Sequence, residues 1–367
     1  MDFIPLSSPD LKEDDINAVV KVLQSGMLVQ SENVLNFEKS MQGLTGAEHT
    51  LAVSNGTATM HLALVILGIG PGDEVIIPAL SYIATANVVE LVGATPVFVD
   101  VDLATFNIDV SKIEARITAK TKAIIPVHEF GLACDISAIM DIAIKHNLYV
   151  IEDAACALGA TQNDKQVGTF GDFASFSFHP RKAVTSGEGG IVATNNAGYA
   201  KSIAILRNHG IDMIDGKMEF VAAGFNYRMT DFQAALVNSQ LKRLPQIISY
   251  KRELGEVYFN EITNSKVTLP HIPSDRPHTW QTFHLLLDES IDRDQTILKL
   301  REQGIGTNYG AQCIPAQIFY RKKYNLDYLK EYPNAYTAFT KGIAIPLYEK
   351  LSKIQIKHIA KHINEIG

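Results

Sequence analysis

The 367-residue sequence predicts an α/β protein: a large domain in three layers, with a mostly parallel sheet between two layers of helices, then a smaller α+β C-terminal domain. Three observations carry this expectation. Apolar runs of strand length alternate with helical stretches up to about residue 245, the order that builds a parallel sheet covered by helices. The rhythm changes after Leu244-Pro245, dividing the chain into residues 1–245 and 246–367. Finally, 46% of the residues are hydrophobic, which in a chain of this length suffices for two cores.

The elements follow in order. Leu51-Ala52-Val53 reads as a strand and Ala58 to Leu67 as a helix, with Ser54-Asn55-Gly56-Thr57 between them. Gly68-Ile69-Gly70-Pro71-Gly72 is spaced like a dinucleotide fingerprint, but that fingerprint must open a helix, whereas this stretch lies between a helix end and a strand; it is a turn. Strands are expected at Glu74–Pro78, Pro96–Val99 and Ala123–Val127. Asp135 can cap a helix whose Ile136, Ile139, Met140 and Ala143 share one face, ending near His146-Asn147. The strand Tyr149-Val150-Ile151 then ends on Glu152-Asp153, and ligands of open α/β sheets bind beyond the carboxyl ends of strands. After residue 245 come the apolar run Phe283–Leu287, a helical stretch around Gln295 to Gln303 and a polar helix from about Ser352.

Composition excludes several classes. With 33 Lys plus Arg against 40 Asp plus Glu, the net charge of −7 gives no nucleic-acid footprint. The opening Met1-Asp2-Phe3-Ile4-Pro5 lacks the basic and apolar regions of a signal peptide, and no apolar run spans a membrane, so a cytoplasmic protein is expected. Cys134, Cys156 and Cys313 are odd in number and lack CxxC spacing, which reads as free thiols. His128-Glu129 has no second histidine four residues on, so no zinc-protease site follows and no metal is expected.

The chemistry concentrates in Asp172-Phe173-Ala174-Ser175-Phe176-Ser177-Phe178-His179-Pro180-Arg181-Lys182 and the following Gly187-Glu188-Gly189-Gly190. Taken alone, Lys182 is an ordinary surface lysine. Three features weigh against that. The free backbone N–H groups of Ser54-Asn55-Gly56-Thr57, which follows a strand and precedes the helix Ala58 to Leu67, suit a phosphate. Asp153, at a strand end, suits the pyridine nitrogen of pyridoxal phosphate, whose protonated ring is an electron sink. Ser177 offers a hydroxyl to the same phosphate. Each has a plainer reading as helix start, helix cap or turn residue, but the three together favour a cofactor site.

In these motifs the sequence resembles the sugar aminotransferases of the DegT/DnrJ/EryC1/StrS family, within the fold-type I pyridoxal-phosphate enzymes. The resemblance covers nearly the whole chain and rests on Ser54–Thr57, Gly70–Ile76, Val150–Ala155, Ser175–His179 with Lys182, Gly187–Gly190 and Asn226-Tyr227-Arg228-Met229-Thr230-Asp231. It implies that Lys182 forms the imine with pyridoxal 5′-phosphate and then moves the substrate proton. It also implies that Gly56, Thr57 and Ser177 hold the phosphate, that Asp153 holds the ring nitrogen and that Tyr82 stacks on the ring, although Tyr82 can equally be read as a core tyrosine. Asn226 matches a residue that reaches the cofactor phosphate of the neighbouring subunit, which implies a homodimer with shared sites. Arg228 is assigned to an anionic substrate group or to a structural ion pair, and His179 to substrate or to loop shape. The implied reaction takes the amino group of L-glutamate to a keto group, at C4, of a nucleotide-linked keto-deoxy sugar, for O-antigen or another surface glycan. The alternatives are a C3 aminotransferase, a pyridoxamine-phosphate-dependent dehydratase, whose branch carries histidine in place of the lysine, and a catalytically silent regulatory protein of the same fold.

The sequence departs from the family pattern at three places. Cys156 stands where a Gln or His commonly donates to the cofactor's phenolic oxygen, and a thiol is a weak donor. Leu132-Ala133 replace the frequent Gln-Pro or His-Pro. Gly310-Ala311-Gln312-Cys313-Ile314-Pro315-Ala316-Gln317 replaces a His-Tyr-x-Pro-x-His pattern in a loop assigned to the sugar-nucleotide pocket.

Overall fold

A computed structural model describes residues 2–367. The first ten strands are β1 (His49–Val53), β2 (Glu74–Pro78), β3 (Leu80–Ser81), β4 (Thr95–Val99), β5 (Thr121–Ile124), β6 (Tyr149–Asp153), β7 (Thr161–Gln162), β8 (Lys165–Gln166), β9 (Phe173–Ser177) and β10 (Gly190–Thr194). The remainder are β11 (Ile211–Ile214), β12 (Lys217–Phe220), β13 (Val267–Thr268), β14 (Phe283–Leu287), β15 (Gln312–Cys313) and β16 (Gly342–Ile345).

Seven strands form one sheet in the order β1-β10-β9-β6-β5-β2-β4. All run parallel except β10, which is antiparallel to both neighbours. The reason is the connection: β9 returns to β10 through the loop 178–189 without a crossover helix, and only an antiparallel partner can be reached that way. Alternate side chains feed the two faces. Val75 and Ile77 pack with Leu62 and Val89 on one, while Ile76 packs with Ile124, Ile139 and Val150 on the other. This gives the expected three layers. The run Ala123–Val127 leaves the regular ladder after Ile124; Pro126 has no N–H to give, and Val127 regains a single bridge to Asp153.

Local signals act as the sequence suggests. Asp135 Oδ1 accepts from the Ala138 amide at 3.3 Å, opening helix Ile136–His146, and Asn147 closes it in the left-handed conformation at φ 54°. Leu244, with Pro245 in the first turn, opens helix Leu244–Glu261.

The sheet β13-β14-β16 is antiparallel, and its Phe283, Leu285, Ile343 and Ile345 pack with Leu254 and Tyr258 of helix Leu244–Glu261 and Ile356, Ile359 and Ile363 of helix Lys353–Asn364. Two segments cross the division near residue 245, which we retain as our proposed domain boundary. Ile4 joins the smaller core through Ile4 N–H to Gly304 O at 2.7 Å and Gly306 N–H to Ile4 O at 2.8 Å. In return, Ile314, Tyr320, Tyr332 and Ala335 join the core around helix Gly56–Ile66. Among the described residues no helix is long and apolar enough to cross a membrane.

Candidate active site

A cleft of about 730 Å³ opens at the carboxyl ends of the parallel strands. Several strands deliver a residue or two. After β1, Asn55 caps helix Gly56–Ile66, its Oδ1 accepting from the Ala58 amide at 2.8 Å. Gly56 and Thr57 line the cleft as the first two helical residues, whose N–H groups have no acceptor within a helix. Gly56 also has a steric reason to be glycine. A Cβ there would lie 2.9 Å from Cβ and 3.3 Å from Oγ of Ser177, so its absence seats the Ser177 hydroxyl, at the end of β9, against the helix start.

Asp153 ends β6 and is buried. Its Oδ2 accepts from Thr85 Oγ1 at 3.0 Å and its Oδ1 from the Ala155 amide at 3.2 Å, while the Thr85 hydroxyl meets that of Ser81 at 3.0 Å. Burial raises the Asp153 pKa, a shift that the Ala155 amide, the Thr85 hydroxyl and nearby Lys182 partly oppose. A protonated ring nitrogen here would restore the charged carboxylate.

Lys182 lies in the loop between β9 and β10, and its Nζ donates to Cys156 Sγ at 3.0 Å. The loop is pinned from several sides. Phe178 N–H donates to Gly189 O at 2.9 Å, Ser186 N–H to Phe178 O at 3.0 Å, and Gln240 bridges both backbone groups of Thr185, accepting from N–H at 3.1 Å and donating to O at 2.7 Å. A long side chain is thus carried on a fixed backbone. Burial pushes the Cys156 thiol up, against the pull of Lys182, so its sulfur is an acceptor rather than a competing charge.

Of the residues singled out from sequence, Gly56, Thr57, Tyr82, Asp153, Cys156, Ser177, His179 and Lys182 all line this cleft. Tyr82 is 68% exposed at its rim, which removes the core-tyrosine reading. His179 Nδ1 accepts from the Arg181 amide at 3.2 Å. Asn226 and Arg228 lie outside the lining. Asn226 is exposed, and Arg228 Nη1 donates to Asn208 Oδ1 at 2.8 Å, with no carboxylate partner among the described residues. Sequence reasoning missed Thr85, Glu129 and Phe130 on the large-domain side, and Gln281 and Thr282 on the opposite wall. Thr85 had a findable signal, one helical turn after Ser81. Part of the atypical segment does reach the cleft: Gly310 and Ala311 line it, and β15 just beyond pairs with β3, next to Tyr82.

The profile of the DegT/DnrJ/EryC1/StrS aminotransferase family matches residues 9–364. The chain belongs to this family. GDP-perosamine synthase of Caulobacter vibrioides is 41% identical over 307 residues, 82% of each chain. The spore coat polysaccharide biosynthesis protein SpsC of Bacillus subtilis is 35% identical across 99% of this chain and 97% of its own. Among solved structures, Spr1654 of Streptococcus pneumoniae in its PLP form matches with a TM-score of 0.93 at 30% identity, over 99% of this chain and 98% of that one.

As in this family of aminotransferases, the cofactor is pyridoxal 5′-phosphate. The residues of the cleft fit it: a helix start with a glycine-built gap beside a serine hydroxyl for the phosphate, a buried carboxylate for the ring nitrogen, and one lysine on a rigid loop between them. Among the described residues no group of three or more His, Cys, Asp or Glu is placed to hold a metal ion.

Proposed function

We propose that this aminotransferase takes the amino group of L-glutamate and delivers it to the keto group, at C4, of a nucleotide-linked 4-keto-6-deoxy sugar, supplying an amino sugar for O-antigen or another surface glycan. The observation that carries the reading is the convergence of Lys182, Asp153 and the Gly56–Ser177 contact in one cleft. Similarity over most of the chain to a GDP-perosamine synthase and to SpsC, a polysaccharide biosynthesis protein, supports the sugar substrate.

Pyridoxal phosphate supplies the electron sink that makes a proton beside the reacting nitrogen acidic. The chain's residues do the rest. Gly56, Thr57 and Ser177 hold the phosphate, and Asp153, itself oriented by Thr85, keeps the ring nitrogen protonated. Lys182 Nζ binds the cofactor when substrate is absent and, once released, takes and returns the proton. Cys156 marks its resting position at 3.0 Å. The walls formed by Tyr82, Gln281 and Gly310 face the space left for substrate.

The reading includes a homodimer with shared sites. Asn226 lies outside its own chain's cleft, and the nearby hairpin β11–β12 exposes Met213, Met218 and Phe220 at 61%, 61% and 68%. An apolar patch of this kind supports a subunit contact. A cytoplasmic location is part of this reading.

The test is absorbance of the holoprotein before and after L-glutamate, followed by a panel of nucleotide-linked 3-keto and 4-keto sugars with product mass and regiochemistry determined. A spectral change with glutamate and a 4-amino product support the reading. A 3-amino product moves the site of transfer, and an inert spectrum removes glutamate as donor.

A further inference from the structure

Glu129 is the one acidic side chain in the cleft wall, besides Asp153 and Glu188, and the functional reading gives it no task. It is only 5% exposed, and its Oε2 has no hydrogen-bond partner among the described residues. Leaving a carboxyl oxygen buried and unpaired is costly, and such a group points to a missing partner.

Its position is built, not accidental. The Glu129 amide donates to Asn107 Oδ1 at 2.8 Å, and buried Asn107 in turn donates to Leu132 O and Ala133 O at 3.3 Å. The next residue, Phe130, is held in the left-handed region at φ 55°, which is strained for a bulky side chain. Phe130 stacks on His284 with ring centroids 4.5 Å apart, and its carbonyl accepts from the Thr282 amide at 3.2 Å. Gly131 O then accepts from the Thr279 amide at 2.9 Å. A Cβ on Gly131 would sit 2.7 Å from Thr279 Oγ1. The smaller domain therefore clamps this turn and holds Glu129 facing the cleft.

The groups around it decide its charge. Burial, followed by the like charge of Asp153, pushes the Glu129 pKa up to about 8, while Lys182 and the Phe130 amide pull the other way. Cys156 also faces it. The side chain is therefore an acid at neutral pH, with an O–H to give.

Resting on the cofactor assignment above, we propose that Glu129 is a cofactor-facing hydrogen-bond donor: its carboxyl, in the acid form, serves the phenolic oxygen of pyridoxal phosphate, where Cys156 offers only a weak donor. The bond is O–H to O⁻ and transfers nothing. A donor at that oxygen stabilises its negative charge and so favours the less protonated form of the bound chromophore. An ionised carboxylate at the same place would do the reverse.

The experiment is a pH titration of the visible absorbance of the holoprotein for wild type, Glu129→Gln and Glu129→Leu, read without any turnover. The Gln variant keeps an N–H donor and should titrate within a few tenths of a pH unit of wild type. The Leu variant should move its midpoint upward by about one pH unit, the worth of one charge-assisted hydrogen bond. A downward shift for Leu, or coincident curves for all three proteins, overturns the proposal. Failure of wild type to form a visible band that is lost in Lys182→Ala would strike the cofactor assignment instead, so the two failures are separable.

Discussion

The Nζ of Lys182 donates to Sγ of Cys156 at 3.0 Å, so the resting lysine is held by a soft, weakly bonding atom. We expect Cys156→Ala to bind pyridoxal phosphate within about threefold of wild type, because little hydrogen-bond energy is lost. Lys182→Ala should lose the covalent link altogether. Borohydride reduction followed by mass analysis of the peptide containing residue 182 checks both, and a large affinity loss in Cys156→Ala would give the thiol a greater part.

The contact between Gly56 and Ser177 leads to a second expectation. A methyl group on residue 56 would meet Ser177 Cβ at 2.9 Å, so Gly56→Ala must displace the serine or the helix start. Because that pair is the proposed phosphate cradle, cofactor affinity should fall about tenfold or more, equivalent to about 1.4 kcal/mol. Ser177→Ala should show a similar fall without steric change. Absorbance titration with pyridoxal phosphate measures both, and unchanged affinity in both variants would move the phosphate elsewhere.

The elevated pKa of Glu129 makes stability depend on pH in the cofactor-free protein. Unfolded, the side chain releases its proton near its ordinary value of 4.5; folded, it keeps it to about 8. Between these limits the folded state holds more protons than the unfolded state, so this group costs increasing stability as pH rises. Glu129→Gln removes the dependence. Its advantage over wild type should be absent below pH 4.5 and grow to a few kcal/mol at pH 8, read by chemical denaturation. Parallel curves for the two proteins would contradict a buried acid at this position.

Glu152, one residue before Asp153, carries the opposite sign. Its carboxylate is fully buried and accepts from the amides of Gly168 at 2.8 Å, Phe170 at 2.8 Å and Gly171 at 2.9 Å, and meets His128 Nε2 at 3.1 Å. Burial raises its pKa, but His128 and the backbone amides outweigh that and hold it below the ordinary 4.5. The stability it contributes is therefore present above pH 4.5 and lost as pH falls through the lower folded value. Glu152→Gln should cost about 3 kcal/mol at pH 7, since one partner of a buried pair is neutralised and an amide N–H opposes backbone donors. Its acid limb should be shallower. Equal stability at pH 7 would show that the turn 168–171 is held by other contacts.

These sites differ in how far the sequence disclosed them. The cleft positions of Asp153, Gly56 and Ser177 were legible because each lies at or just after a strand end, where local patterning fixes both position and direction, whereas Lys182, five residues beyond β9, was legible only through its Gly-flanked, aromatic-rich motif. Glu129 was visible only as a failed zinc motif. Its position comes from the hold that Thr279, Thr282 and His284, about 150 residues downstream, have on the next two residues, Phe130 and Gly131, and no local pattern encodes that. Gln281 and Thr282 were missed for the same reason. Within the sheet, five of the seven strands were readable as apolar runs; β9 and β10 were not read as strands, and the reversed direction of β10 depends on a loop without a helix, which apolar periodicity does not report.

Asn226 supplies the last expectation. It is exposed and outside its own cleft, close in sequence to a hairpin whose Met213, Met218 and Phe220 side chains face solvent in the single chain. If the site is shared, Lys182 of one chain and Asn226 of its partner serve the same cofactor. Lys182→Ala and Asn226→Asp should then each be inactive as homodimers, the second because a carboxylate repels the phosphate. Co-expressed under two affinity tags, the mixed dimer places both lesions in one site and leaves the other intact. It should recover about half of wild-type activity per dimer, following from two-fold symmetry. If Asn226 served its own chain, each site of the mixed dimer would carry one lesion and no activity would return. Phe220→Glu supplies the independent check: it should shift the protein to a monomer by light scattering and weaken cofactor binding with it, and a monomer of full affinity would confine the site to one chain.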